Sequence, residues 1–360
     1  MEQMLGTQSL RYAEACYILA SASVVGKKEG EGPLGNCFDM ICEDDKFGQE
    51  NWEKAESQLQ KEALTLALGK AGVKKEDLRY LFAGDLLGQN MATSFGLLDF
   101  QVPLFGLYGA CSTAGESLSL ASMCVAGGFA ELVGAVTSSH FASAEKQFRY
   151  PLEYANQRPL SATWTVTGGG AYILGKKKSP VRIAGITTGR IVDYGIKDSM
   201  NMGAAMAPAA ADLIEAHLKD FSADPAEYDA IITGDLGSVG REILLDLLRE
   251  RGYDLAKVHR DCGMEIFDSE TQNTCAGGSG CGCSATVLSA YFFTETDIRG
   301  VETGAVCADW GSALSNQFSR GRECSGYRPR RIAGACGLTG HSAEKRNPVR
   351  RIFSAETGNL

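Results

Sequence analysis

One order of elements occurs twice in this chain, 150 residues apart, and it constrains the fold more than any other feature. In the first copy, Trp52, Ala55, Leu59, Ala63 and Leu66 recur at three- and four-residue spacing, the pattern of a helix that buries one face, and Gly72 provides a stop. An acidic turn, Lys75-Glu76-Asp77-Leu78, leads to the short apolar strand Tyr80-Leu81-Phe82-Ala83 and then to Gly84-Asp85-Leu86. In the second copy Ala210, Leu213, Ile214, His217 and Leu218 form the helical face. Asp224-Pro225-Ala226-Glu227-Tyr228-Asp229 is the turn, Ala230-Ile231-Ile232-Thr233 the strand and Gly234-Asp235-Leu236 its end. A lone triplet recurs by chance, whereas four elements in one order do not. The sequence therefore predicts two α/β halves related by a pseudo-twofold axis, with Asp85 and Asp235 at equivalent strand ends.

The remaining segments alternate in the same way. Val102–Tyr108 reads as a strand ending at Gly109-Ala110-Cys111-Ser112, Glu116–Ala126 as a buried helix and Leu132–Thr137 as a strand. Residues 163–174 and 181–188 read as strands joined by a hairpin at Gly175–Pro180. Val239–Arg251 and Ala285–Thr294 read as helices. Sheets buried between helices are the expected architecture. The expected organisation is a first half over 1–190, a second half over 191–298 and an atypical tail over 299–360.

That tail stands apart in charge. Net charge is −14 over residues 1–298 and +5 over 299–360, together the −9 of the 360-residue chain. The tail holds nine Arg and one Lys, is rich in Ser, Gly, Cys and Pro, and shows neither a helical nor a strand period. It reads either as a basic arm or as a stretch translated from another reading frame, which would pack poorly and leave the second half without its central strands. The acidic body argues against a nucleic-acid partner. No run of eighteen apolar residues is present to span a membrane. Met1-Glu2-Gln3-Met4 lacks the basic and apolar regions of a secretory leader. Twelve Cys without a C-x-x-C pair suit a reduced, cytoplasmic setting better than a disulfide scaffold or a zinc site, and Cys281-Gly282-Cys283 is too tight for structural zinc.

Few residues could carry chemistry. Cys111 follows a strand, sits among small neighbours and precedes a helix whose N-terminus would favour a thiolate; the plainer alternative is a buried Cys acting as a small hydrophobe. A nucleophilic Cys needs a partner base. Of the four His, His217 lies on a core face and His341 in the tail, which leaves His140 and His259, each after an apolar stretch, as the ones that could approach Cys111. Asp85 shares a half with Cys111 and is expected to face a ligand, while Asp235 reads as a structural cap. The turn Gly277-Gly278-Ser279-Gly280 could cradle an anion through its N–H groups but matches no nucleotide fingerprint. Lys146, Arg149 and Arg158, interleaved with Phe148, Tyr150 and Tyr154, suit a flat aromatic anion or else form a solvated loop at a dimer interface.

The two halves, Gly109-Ala110-Cys111-Ser112-Thr113 and Val166-Thr167-Gly168-Gly169-Gly170-Ala171 resemble the thiolase superfamily, especially β-ketoacyl-ACP synthase III-type enzymes. Glu31-Gly32-Pro33-Leu34-Gly35, Asn51-Trp52-Glu53, Ala83–Leu87, Gln147–Pro151, Ala205–Asp212 and Ala276–Cys281 resemble, within it, the stage V sporulation protein AD family of spore-forming bacteria, over about Ala20 to Thr294. The resemblance implies a thiolase-like, layered α-β-α-β-α fold. It implies binding of dipicolinic acid, free or as its calcium chelate, by machinery that moves it into the developing spore and out at germination. It also implies a peripheral place on the inner spore membrane, beside membrane-embedded proteins of the same operon, and admits a homodimer. The superfamily's Claisen chemistry uses Cys with His and a second His or Asn. Cys111 and His259 fall at vestigial catalytic positions, but Gly277-Gly278-Ser279-Gly280 stands where the Asn is expected. Loss of such a donor typically lowers rate ~10²–10³-fold. The expectation is a binding protein without catalysis, cofactor or resident metal, whose ligand meets Asp85, Cys111, His140, Arg149, His259, Gly278 and Ser279; the alternative is an acyl-thioester enzyme using Cys111.

Overall fold

A computed structural model describes residues 3–148, 158–198, 200–293, 303–307 and 314–320. The chain divides into two units, Met1–Gly321 and Arg322–Leu360, and every described residue lies in the first.

The first half comprises strands β1 (Met4–Leu5), β2 (Ser9–Val25), β3 (Met40–Ile41), β4 (Tyr80–Asp85), β5 (Leu104–Leu107), β6 (Leu132–Ser139), β7 (Trp164–Thr165), β8 (Gly168–Gly175) and β9 (Val181–Thr188). Its helices are α1 (Lys27–Gly30), α2 (Trp52–Ala71), α3 (Met91–Gly96), α4 (Thr113–Ala126) and α5 (Phe141–Phe148). The second half adds α6 (Met202–Phe221), β10 (Ala230–Thr233), α7 (Gly237–Glu250), β11 (His259–Asp261), α8 (Cys262–Ile266), β12 (Gly278–Ser279), α9 (Cys281–Val287), β13 (Thr303–Cys307) and β14 (Leu314–Arg320).

The repeat is visible residue by residue. α2 and α6 are both 20 residues long and start 150 positions apart. An Asn caps each: Asn51 accepts from the Lys54 N–H at 2.9 Å and Asn201 from the Ala204 N–H at 3.1 Å. Each ends on a left-handed residue, Gly72 and Ser222. Both acidic turns are single 3₁₀ turns closed by a carboxylate reaching back: Asp77 accepts from the Lys74 N–H, Glu227 from the Asp224 N–H, each at 2.8 Å. β4 then lies between β5 and β6, and β10 between β11 and β13, all parallel. The order β5-β4-β6-β8-β2 thus matches β11-β10-β13-β14-β9, and the two meet where β2 pairs antiparallel with β9. Asp85 ends β4, and Asp235 lies two residues beyond β10.

Two expectations are corrected. The predicted hairpin of β8 with β9 does not form: the 17-residue β2 pairs with β8 through Tyr17–Val25 and with β9 through Ser9–Ile18, so it bridges the half-sheets. The boundary at 298 also moves. β13 takes the place beside β10 and β14 bridges β13 to β9, through Thr303↔Ser319 and Ser315↔Thr187 among others, so residues 303–307 and 314–320 fill the central positions expected to be missing. The rest of the tail, His341 included, lies outside the described residues.

Buried side chains form three clusters: one on α2, one on α4 and α9, one on α6 and α7. With the two half-sheets between them, these are the five expected layers.

Candidate functional site

The middle layer carries the Cys. After β5 the chain turns sharply: Ala110 has φ +50°, a strained conformation for a residue with a side chain. Three local bonds hold the turn. Ser112 Oγ donates to Gly109 O at 2.8 Å, Thr113 Oγ1 to Ala110 O at 2.7 Å, and Gly109 N–H to Thr113 Oγ1 at 3.1 Å. A Cβ on Gly109 would lie 2.4 Å from Ser112 Oγ, which explains the glycine. Cys111 is thereby presented at the start of α4, where the sequence placed it.

Its partner is unexpected. Asp235 of the other half sits close enough to act on the Cys111 thiol, raising it after burial does, and the Gly280 backbone acts on the same sulfur in the opposite sense. Asp235 Oδ2 also accepts from Gly280 N–H at 2.6 Å and Ser279 Oγ at 3.2 Å. Cys111, Asp235, Ser279 and Gly280 are thus one constellation built across the pseudo-twofold, with Ser279 and Gly278 held in β12, which pairs with β7. Gly278 is steric: an added Cβ would lie 2.7 Å from Ile266 Cγ2. Burial raises the Cys111 thiol well above its ordinary range and the Asp235 charge raises it further. The expected lowering by the helix N-terminus is outweighed, and Cys111 is a thiol at neutral pH.

The other candidates lie apart. Asp85 is consumed by its own turn: Oδ1 accepts from Leu87 N–H at 3.1 Å, and Oδ2 from Thr93 N–H at 3.1 Å and Thr93 Oγ1 at 2.8 Å. It belongs to a buried network in which Ser138 and Ser143 hydroxyls donate to Glu56 at 2.9 and 2.6 Å, and Gln60 Nε2 to Ser138 Oγ at 2.8 Å. Burial, then the Asp85 charge, push the Glu56 carboxyl up to about 7. Between this network and Asp235 lies Cys281, whose thiol donates to Ser138 O at 3.0 Å.

His140 is spent on the fold. Nε2 donates to Asp45 O at 2.7 Å while Nδ1 accepts from Ala142 N–H at 3.1 Å, so both nitrogens are used and burial keeps the ring neutral. His259 is likewise not bonded to Cys111. Thr233 gives its proton to Asp261 Oδ2 at 2.6 Å and so accepts from His259 Nε2 at 3.1 Å. Burial first, then Arg241, pull His259 down to about 3. Only Nε2 is engaged, by Thr233, but a ring lowered this far is a poor base toward a thiol raised as Cys111 is. Arg149 lies outside the described residues. Lys146 pairs with Glu53, and Arg158 lies 3.6 Å from Glu145 and over the Trp164 ring. His217 bonds Thr187 and Tyr228, the packing role expected of it. Among the described residues, no group of three His, Cys, Asp or Glu is placed to hold a metal.

Asp235, which reads from the sequence as a structural cap, is the residue that the structure sets beside Cys111. The signal was present in the repeat, since equivalent strand ends on a pseudo-twofold face one central layer.

This fold, with a strand-end Cys between two halves, is the thiolase-like fold that condensing enzymes share. Its solved members include cerulenin-bound OleA of Xanthomonas campestris (TM-score 0.59, 15% identity, 86% of this chain and 97% of that one). The priming β-ketosynthase of the R1128 polyketide pathway gives TM-score 0.57 at 13% identity, covering 86% and 97%. 3-Oxoacyl-[acyl-carrier-protein] synthase III of Aquifex aeolicus VF5 gives 0.55 at 14%, covering 84% and 99%. At such identities the likeness is one of fold. Within the class, the family model for stage V sporulation protein AD (SpoVAD) matches residues 6–319, and the protein of that name from Bacillus subtilis (strain 168) is 42% identical over 293 residues, 81% of this chain and 86% of its own. The chain belongs to the SpoVAD family. The match runs past the Thr294 limit expected from sequence and takes in β13 and most of β14.

Proposed function

We propose that this sporulation protein binds dipicolinic acid, free or as its calcium chelate, at the Cys111 turn, and serves its movement into the developing spore and out at germination. The observation that carries the reading is the buried Asp235 carboxylate set beside Cys111 and held by Gly280 N–H and Ser279 Oγ. A condensing enzyme needs a thiolate there, whereas this cysteine is a buried thiol paired with a carboxylate and has no imidazole bonded to it. What the constellation does offer is polar contact: a thiol, the Ser279 hydroxyl and the Gly280 N–H. Arg149 is proposed as the cation for one ligand carboxylate, since a guanidinium grips a carboxylate through two parallel bonds.

Peripheral membrane association is part of the proposal. No helix among the described residues is long and apolar enough to cross a membrane. Ile191 and Leu160 are 84% and 85% exposed, apolar surface that suits the membrane-embedded proteins of the operon. A homodimer is proposed through β5. It ends the sheet, carries no charge from Leu104 to Leu107, and adjoins exposed Met91, Phe95, Leu98, Phe105 and Tyr108. Such an edge pairs readily with its own copy in antiparallel fashion.

The acyl-thioester reading is favoured by the strained turn at Ala110 and the position of Cys111. Two measurements separate it from binding: calorimetric titration with dipicolinate, and the intact mass after incubation with an acyl-CoA. Saturable binding with an unchanged mass supports the proposal, while an acyl adduct on Cys111 without dipicolinate binding defeats it.

A further inference from the structure

We propose that Asp235 couples the binding of an anionic ligand at Cys111 to the uptake of one proton. The inference rests on the dipicolinate reading above and concerns how the site admits a negative charge.

Its basis is geometric. The Asp235 carboxylate is 1% exposed and is held by Gly280 N–H at 2.6 Å and Ser279 Oγ at 3.2 Å. The groups that an incoming carboxylate would use, the Ser279 hydroxyl and the Gly280 N–H, are the ones already donating to Asp235. Ligand and Asp235 therefore compete for the same donors as like charges. The neighbours do not relieve this. Cys111 comes from the α4 side, Cys281 and Cys283 from α9, and Asp261 from the end of β11; Glu56 and Asp85 lie beyond Cys281. His259 on β11 turns its Nε2 to Thr233. These are thiols and carboxyls around a buried carboxylate, and burial already favours its neutral form.

Protonation resolves the conflict. Without ligand, we place one proton on the Cys111–Asp235 pair, on sulfur. With a ligand carboxylate beside it, Asp235 takes a second proton from solvent. Its O–H becomes a donor, and the Gly280 N–H and the Ser279 hydroxyl are released to the ligand. No covalent bond forms or breaks apart from that O–H.

The test is calorimetry of the full chain with dipicolinate at pH 7.0 to 9.0, in two buffers of different ionisation enthalpy. Both ligand carboxylates are ionised throughout this range, so any proton taken up goes to the protein. The expected result is uptake approaching one proton per ligand, with affinity falling toward tenfold per pH unit. Asp235→Asn is expected to abolish the uptake and bind at least tenfold tighter than the parent chain at pH 8.5. Binding whose heat is buffer-independent and whose affinity is flat with pH overturns the coupling while leaving the dipicolinate reading intact. Uptake that persists in Asp235→Asn overturns the assignment to Asp235. No binding at any pH defeats the dipicolinate reading, and this inference with it. The parent chain alone decides between coupled and uncoupled binding if the variant fails to fold.

Discussion

Replacing Asp261 by Ala tests how the site is held in place. Asp261 is buried and accepts four bonds: Thr233 Oγ1 at 2.6 Å, Leu236 N–H at 2.9 Å, Gly237 N–H at 3.0 Å and Met264 N–H at 3.1 Å. It pins the turn that carries Asp235 from β10 into α7. In the Ala variant Met264 N–H can find water because that residue is exposed, and Thr233 can turn to Arg260 O, 3.4 Å away. The Leu236 and Gly237 N–H groups are buried and lose their partner. Each such orphan costs about 1–3 kcal/mol, and removal of a buried carboxyl offsets part of the sum. We expect a net loss of about 3 kcal/mol, hence, for a unit of this size, a melting temperature lower by roughly 4–5 °C. The assay is thermal unfolding followed by circular dichroism at pH 7.5. Asp193→Ala, which removes only an exposed turn contact to the Gly195 N–H, should stay within about 0.5 kcal/mol of the parent. A shift under 2 °C for Asp261→Ala would refute the reasoning.

The stability profile should be inverted relative to ordinary acid denaturation. Burial holds Glu29 and Glu56 at about 7 and Asp261 at about 6, all above their ordinary values. The folded state therefore binds protons that the unfolded state has released, so stability is full below about pH 4 for these groups and is lost as pH rises through 6 to 7. Melting should be several degrees higher at pH 5 than at pH 8, and the opposite order sinks the assignment. Cys111 should resist iodoacetamide at pH 7.5 while the half-buried Cys42 and Cys275 react, as peptide mass analysis would show; fast alkylation of Cys111 would contradict a thiol held by Asp235. Phe105→Glu should halve the mass in light scattering if β5 joins two copies, and an unchanged mass removes that edge as the interface.

What was legible in the sequence was what repeats or is local. The Gly72 stop, both acidic turns and both strand ends follow from short-range chemistry, and the offset of 150 residues makes their equivalence visible. The β8–β9 hairpin was misjudged because a short polar turn between two apolar strands says nothing about a third strand entering between them. β2 comes from some 150 residues upstream, and only tertiary pairing places it. The neighbourhood of Asp235 is hidden for the same reason: Cys111 lies 124 positions away, in the other half. His259 shows the converse, since a His after an apolar stretch looks available as a base until burial is seen to lower it and Thr233 to take its Nε2. β13 and β14 lack a clear period of their own, and their place in the sheet comes from the gap between β10 and β9.

The central claim is that a condensing-enzyme turn here binds an anion in place of forming a thioester. A crystal structure of the full chain grown with dipicolinate tests it most directly. The account predicts the ligand at the Cys111 turn, within contact of Cys111 and hydrogen-bonded at Ser279 and Gly280, with no bond to sulfur. Dipicolinate bound elsewhere with this turn unchanged, or an acyl group on Cys111, would contradict it.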